Sequence, residues 1–273
     1  MGQVIVNLPY GAVAQQPWSW LFTIVGAMFF LASAAWVVRE SRRHQTAVPV
    51  LALTGGLVAA LEEPWINTLI QLWYPQDSPL VVFTVMDHAQ PLYVYLVYPG
   101  FVGIGAYLVY RSLVHHPDGR HLWWFFVGIV LLDMAFELPT TAVGVFYYYG
   151  AQPMQPIANA WPLWVGPINA AGPVLAGALM YRVRRLAKGA PRAASFVLFP
   201  PLAYAGVYGA AGWPVDMLLK SEVPSVVRWA GAAVTVALCV TIVALIRLAA
   251  NRGCSLSQWG DVTAGNAPIT EVR

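Results

Sequence analysis

Charge is scarce in this chain: Lys, Arg, Asp and Glu make up 10% of its 273 residues, against about 25% in a soluble domain. Most of the surface therefore faces something other than water, in keeping with a mean hydropathy of +0.61. Cysteine is nearly absent, and two thiols exclude a disulfide framework and a cysteine zinc site. Cys239 sits in an apolar run and Cys254 in a polar tail, too far apart along a helix to bridge, so both read as free thiols. There is no aspartate cluster of the kind that holds magnesium diphosphate, no GxGxxG, no Walker motif, no HExxH and no nucleophile elbow. Bis-histidine haem or metal binding is excluded as well, because His115, His116 and His121 share one loop and His88 reads as a lone loop histidine. The last apolar stretch has no lysine for a retinal Schiff base. No cofactor and no metal is expected, and a formal charge of +3 gives no reason to expect nucleic acid as a partner.

What the chain has is apolar length. Seven stretches, at about 18–38, 48–73, 91–114, 122–147, 161–181, 194–218 and 224–247, each approach the ~20 residues needed to cross a bilayer as a helix. Continuously apolar runs such as 230–248 exclude the alternating strands of a membrane barrel. The expected fold is all-α: a polytopic, multi-pass seven-transmembrane helix bundle over 18–248 in the cell membrane. A segment 1–17 precedes it, and a disordered tail, 249–273, follows. Arg39, Arg42, Arg43, Arg111, Arg120, the 182–192 cluster and the Arg residues from 247 onward fall on one side, leaving only Lys220 and Arg228 for the other. The positive-inside rule then puts the N-terminus outside and the C-terminus in the cytoplasm. Residues 1–17 lack Lys and Arg, so the first span is expected to be retained rather than cleaved.

Carboxyls inside the spans are the anomaly, because an ionisable group at that depth is costly without a task or a partner. Glu62 and Glu63 lie in the second span, Asp133 and Glu137 in the fourth, and Asp216 near the end of the sixth. At ~1.5 Å per residue the first four share a layer displaced toward the outside, and Asn169 falls at a similar level. Asp133 and Glu137, four apart, share a helix face; Glu62 and Glu63 diverge by about 100°, with a slight preference for Glu63. No cation but Arg228 is expected nearby. Such carboxyls are expected to keep their protons and to serve as general acids. Interhelical hydrogen bonding is the structural alternative for Asp133 and Glu137, and a solvated helix cap for Asp216.

Rings crowd the same layer. Trp73, Tyr147 to Tyr149 and Trp161 read as an interfacial belt. Trp65, Tyr93, Tyr98, Tyr208 and Trp213, with Asn67 and Asn169, read as substrate-binding, their faces able to stabilise a cation. Pro64 and Pro139 adjoin the acids, where kinks open volume.

The RESRRH loop, the LEEPWIN segment, DMAFELPTTAVGVFYYY and PLWVGPINAAGP together resemble the AveC-type spirocyclases of polyketide biosynthesis, over most of 20–190. The placing of Glu62 or Glu63 and of Asp216 also resembles the small seven-span membrane terpene cyclases, although there Trp and Glu pair directly and here Trp65 follows Pro64. Both resemblances imply acid-assisted ring closure of a lipophilic terpenoid or polyketide intermediate without a metal, with Glu63 or Glu137 as acid and Asp133 or Asp216 receiving the proton. Two alternatives remain open: a proton-coupled carrier or channel for a small solute, and a non-catalytic membrane partner of a biosynthetic enzyme.

Overall fold

The computed structural model describes residues 8–155 and 160–263, with side chains to residue 251; Cys254 therefore lies outside the described side chains. The chain is 73% helical. Five helical segments are long and apolar enough to cross a membrane: Gln16–His44, Leu92–His115, Leu122–Ala142, Gly189–Ala211 and Ser225–Asn251. The first is α1. The second consists of α4 (Leu92–Tyr98), a π-helical turn (Pro99–Ile104) and α5 (Gly105–His115). The others are α6 (Leu122–Ala142), α8 (Gly189–Ala211) and α10 (Ser225–Thr263). The end of α10 runs into the stretch expected to be a disordered tail; residues 264–273 lie outside the described residues.

Two of the seven apolar stretches fold otherwise. The stretch at 48–73 is broken into α2 (Val48–Ala59), a 3-10 turn (Ala60–Glu62) and α3 (Glu63–Ile70), which stops at the left-handed Gln71. Pro64 explains the break: with its fixed φ and no N–H it begins helices readily and continues them poorly. The stretch at 161–181 begins with loop and becomes α7 (Val165–Leu186), whose last turns carry Arg182, Arg184 and Arg185. Lys188 separates α7 from α8, and α9 (Trp213–Leu219) leads to α10.

α7 lies at the centre, packed on α5, α6, α8 and α10, while α2 packs on α8 and on the π-helical turn. Helices approach closely here because small residues face one another. A Cβ on Gly56 would lie 2.7 Å from the Gly103 nitrogen and 2.9 Å from the Pro99 Cα.

Short strands cover one end of the bundle. β1 (Leu72–Trp73) pairs antiparallel with β4 (Tyr147–Tyr148), setting Leu72 opposite Tyr148. β2 (Val81–Val85) and β3 (His88–Pro91) form a hairpin, turned by Met86 and Asp87, both at positive φ as a tight two-residue hairpin turn requires. The cap reverses part of the belt reading: Trp73 is 0% and Trp161 1% exposed. Trp73 is enclosed by Tyr10 and His88, whose ring centroids lie 5.3 Å away in each case. Tyr148 is likewise buried.

Candidate functional site

Beneath the cap, a chamber of about 80 Å³ is lined from α1, α3, α4, the π-helical turn, α6, α7, α8, the two-stranded β1/β4 sheet and the loops beside it. Three carboxyls reach it: Glu63, Asp133 and Glu137. Among the described residues, no Lys, Arg or His lines it.

The 3-10 turn and Pro64 set the direction of Glu63, which opens α3 inside the bundle. Its two oxygens accept hydrogen bonds from Tyr74 (2.5 Å) and Tyr98. Glu62, one residue earlier, turns instead toward α8 near Ala205 and lies outside the chamber lining. Adjacent helical residues diverge, and here the divergence separates a chamber group from a rim group.

Asp133 and Glu137 share a face of α6 and meet Asn169 of α7. The Asn169 amide nitrogen lies 3.1 and 3.0 Å from the Asp133 oxygens and 3.3 Å from Glu137 Oε1. An amide has two N–H groups, so it cannot serve all three contacts at once. The amide oxygen of Asn169 accepts from Tyr204 (2.8 Å) and Tyr208, and Tyr148 donates to Glu137 Oε2. Asn169 thus links both acids of α6 to two tyrosines of α8. Below Glu137, Pro139 disturbs the α6 ladder; the Thr140 and Thr141 hydroxyls bond the Phe136 and Glu137 carbonyls (2.7 Å each), and Thr141 Oγ1 also accepts the Trp161 N–H at 3.0 Å.

Much of the rest of the lining is apolar, including Phe22, Ile66, Phe101, Phe136 and Phe146. Tyr98 and Tyr204 meet edge to face at 5.6 Å, as do Tyr204 and Tyr208 at 5.3 Å.

Of the residues expected to bind substrate, Tyr93, Tyr98, Asn169 and Tyr208 line the chamber. Trp65 (39% exposed) and Trp213 (53% exposed) point away from it. Asn67 is fully buried but outside the lining, with neither amide atom hydrogen-bonded among the described residues. Asp216 is a correction: on α9 it pairs with Lys220 one turn later and takes no part in the chamber. Arg228, the other cation at this end, donates to the Leu218 and Ser221 carbonyls at the end of α9. Both cations are therefore spent on local structure. Tyr74, Phe22 and Phe146 had no assignment from the sequence, and Tyr148 had been placed in the belt. The local signal for Tyr74 is its position in LWYP, between the end of one helix and a proline.

Groups outside the spans behave differently. Burial lowers the pKa of His88 in β3, against the raising effect of the Asp87 carboxylate.

The chain matches no protein-family profile, no curated protein and no solved structure. The functional reading therefore rests on the chamber itself.

Proposed function

We propose that the protein is a membrane-embedded acid–base cyclase of the terpenoid or spiroketal type, acting on a lipophilic intermediate without a metal or organic cofactor. The observation carrying this reading is the chamber: three carboxyls, all six of whose oxygens lie within hydrogen-bonding distance of Tyr or Asn groups, among aromatic rings and with no cation among the described lining residues.

In this reading Glu63, carrying a proton, transfers it to a carbonyl oxygen, epoxide oxygen or alkene carbon. An internal hydroxyl or double bond of the same molecule then attacks the electron-poor carbon, forming the C–O or C–C bond that closes the ring. The proton released from the resulting oxonium or from an adjacent C–H passes to Asp133 or Glu137, and exchange through the tyrosines restores Glu63. Tyr98, Tyr204 and Phe136 supply ring faces to the cationic intermediate. Spiroketal closure would also release one water from the substrate.

The distribution of polar groups favours chemistry over transport. The chamber's polar side chains end at Asp133 and Asn169, while α2, the π-helical turn, α5 and α7 pack beyond through Gly56, Gly103 and Gly177. The finer topology belongs to the same proposal. α2 with α3, and α7, serve as the remaining two crossings of a seven-span bundle in the cell membrane. The positive-inside count places the N-terminus outside and the C-terminus in the cytoplasm.

The test compares lipid extracts of cells carrying the intact gene, a deletion, Glu63→Gln and Glu137→Gln. A product present with the intact protein, lost in the deletion and replaced by its acyclic precursor in either variant is the expected result, and it should also form in detergent. An unchanged product in both variants removes the site assignment; dependence on a proton gradient would favour a carrier.

A further inference from the structure

The chamber's apolar wall is thin on one side. α1 packs on α2 and α4, and α6 packs on α7. Between α1 and α6 lies an outward-facing groove formed by Val25, Ala135, Pro139, Val143 and their neighbours. Phe22 and Phe136 line both this groove and the chamber, so their rings form the partition. They meet edge to face at 6.5 Å, Phe22 braced by Tyr93 at 5.0 Å and Phe136 by Phe29 at 5.6 Å. Ring pairs of this kind reorient by rotamer change without moving a helix.

The groove opens onto hydrocarbon. Ile24, Met28, Leu131 and Leu132 beside it are exposed, and α1 and α6 are both long and apolar enough to cross a membrane. Among its described lining residues only Thr140, whose hydroxyl bonds back to the Phe136 carbonyl, and the indole of Trp18 carry polar side-chain atoms, and none is charged, so the groove offers little with which to solvate an ion, and dehydrating a charge without compensation is costly.

We propose that the α1–α6 groove is a lateral portal through which an uncharged, hydrocarbon-rich molecule passes from the bilayer into the chamber, with Phe22 and Phe136 as the gate. The proposal takes its purpose from the acid-chamber reading and its geometry from the groove. The occupant is an elongated apolar chain with one polar reactive end: the chain suits Phe22, Phe136 and the groove, and the polar end reaches the chamber carboxyls. A water-soluble solute is the opposite case, since it would have to shed its hydration between two phenyl rings.

The test uses the full-length protein in lipid nanodiscs, with a hexadecyl alcohol bearing a diazirine as the membrane-dissolved probe. Photolysis should place adducts on Ile66 and Ile70, buried chamber-wall residues, besides the lipid-facing Leu31 and Trp124. Ala135→Trp or Val25→Trp fills the groove outside the chamber and should reduce the Ile66 and Ile70 adducts several-fold while leaving those on Leu31 and Trp124. Gly128→Trp, at a position of α6 with open space around its Cβ and outside the groove, should not reduce them. Phe22→Ala should increase them, and tests the gate even if a tryptophan variant misfolds. Absence of chamber adducts while Leu31 and Trp124 are labelled overturns the portal. So does equal chamber labelling by a sulfonated aryl diazirine from the water phase. The readout needs no turnover: a failed portal leaves the acid chemistry standing, and inactivity of Glu63→Gln leaves the labelling pattern unchanged.

Discussion

Among the described residues two places bury carboxyls, and they are built on opposite principles. Near the end of α1, Glu40 is buried against α5, where it pairs with Arg111, accepts from Tyr107 at 3.2 Å and lies 3.4 Å from His44 Nε2. Beneath the cap, Glu63, Asp133 and Glu137 have no cation among the chamber residues, only tyrosines and one asparagine. An ion pair ties two helices together through opposite charges; neutral donors orient a carboxyl without a countercharge beside it. The first arrangement suits structure and the second suits proton transfer, which is why the three acids rather than Glu40 are assigned the chemistry.

The largest effect should come from removing the proton at the chamber. Glu63→Gln is expected to lower product formation by about 10²–10⁴-fold, the span typical of a lost general acid, with little change in melting temperature; Glu40→Gln should leave product formation intact. Chromatography of lipid extracts together with thermal unfolding in detergent checks both halves, and the comparison breaks if the two variants behave alike.

The next effect falls on stability. Arg111→Ala strands the buried Glu40, and because Arg111 is itself 37% exposed, the cost is expected to be about 1–3 kcal/mol, below the 3–5 of a fully buried pair. Thermal unfolding of Arg111→Ala, Glu40→Gln and the double variant should reveal coupling, the double being more stable than the sum of the singles implies.

A smaller loss is expected at the tyrosines. Tyr98→Phe or Tyr74→Phe removes one donor from Glu63 and should cost about 1 kcal/mol of stability, with activity reduced less than in Glu63→Gln. If neither hydroxyl affects activity, the tyrosines orient nothing and the distinction between the two regions weakens.

The smallest effect concerns the cap. Burial holds the His88 imidazole below its usual 6.5, with Asp87 opposing, so the folded cap favours the neutral ring. Its contribution is complete above about pH 6.5 and is lost as the pH falls through the lowered value of the folded state. Amide hydrogen exchange in 81–91 should accelerate on acidification, and His88→Gln should flatten that response.

Much of the fold could be read from residue types alone. Apolar runs made helices because backbone groups exposed to lipid must bond within their own segment, and the layer shared by Glu63, Asp133, Glu137 and Asn169 followed from rise per residue. Five helices meet the length and apolarity needed to cross a membrane, whereas 48–73 broke at Pro64 and α7 took up arginines. The site was legible in part. Asp133, Glu137, Glu63 and Asn169 were marked by polarity in apolar surroundings, and they meet in the chamber. Tyr74 and Tyr148 were not, since one directly follows β1 and the other lies in β4, both between apolar stretches, where a tyrosine looks the same whether it faces an interface or a cavity.

Sequence alone determined that the chain is helical, apolar and provided with uncompensated acids at a common height. Only the tertiary structure decided which acids face one another: that Glu63 turns inward and Glu62 toward α8, that Asp216 closes on Lys220, and that Asn169 joins α6 to α8. The reason is that lipid and protein interior are both apolar. A membrane helix therefore lacks the polar stripe by which a water-soluble helix declares its inner face, and pairing across helices is fixed only when they pack.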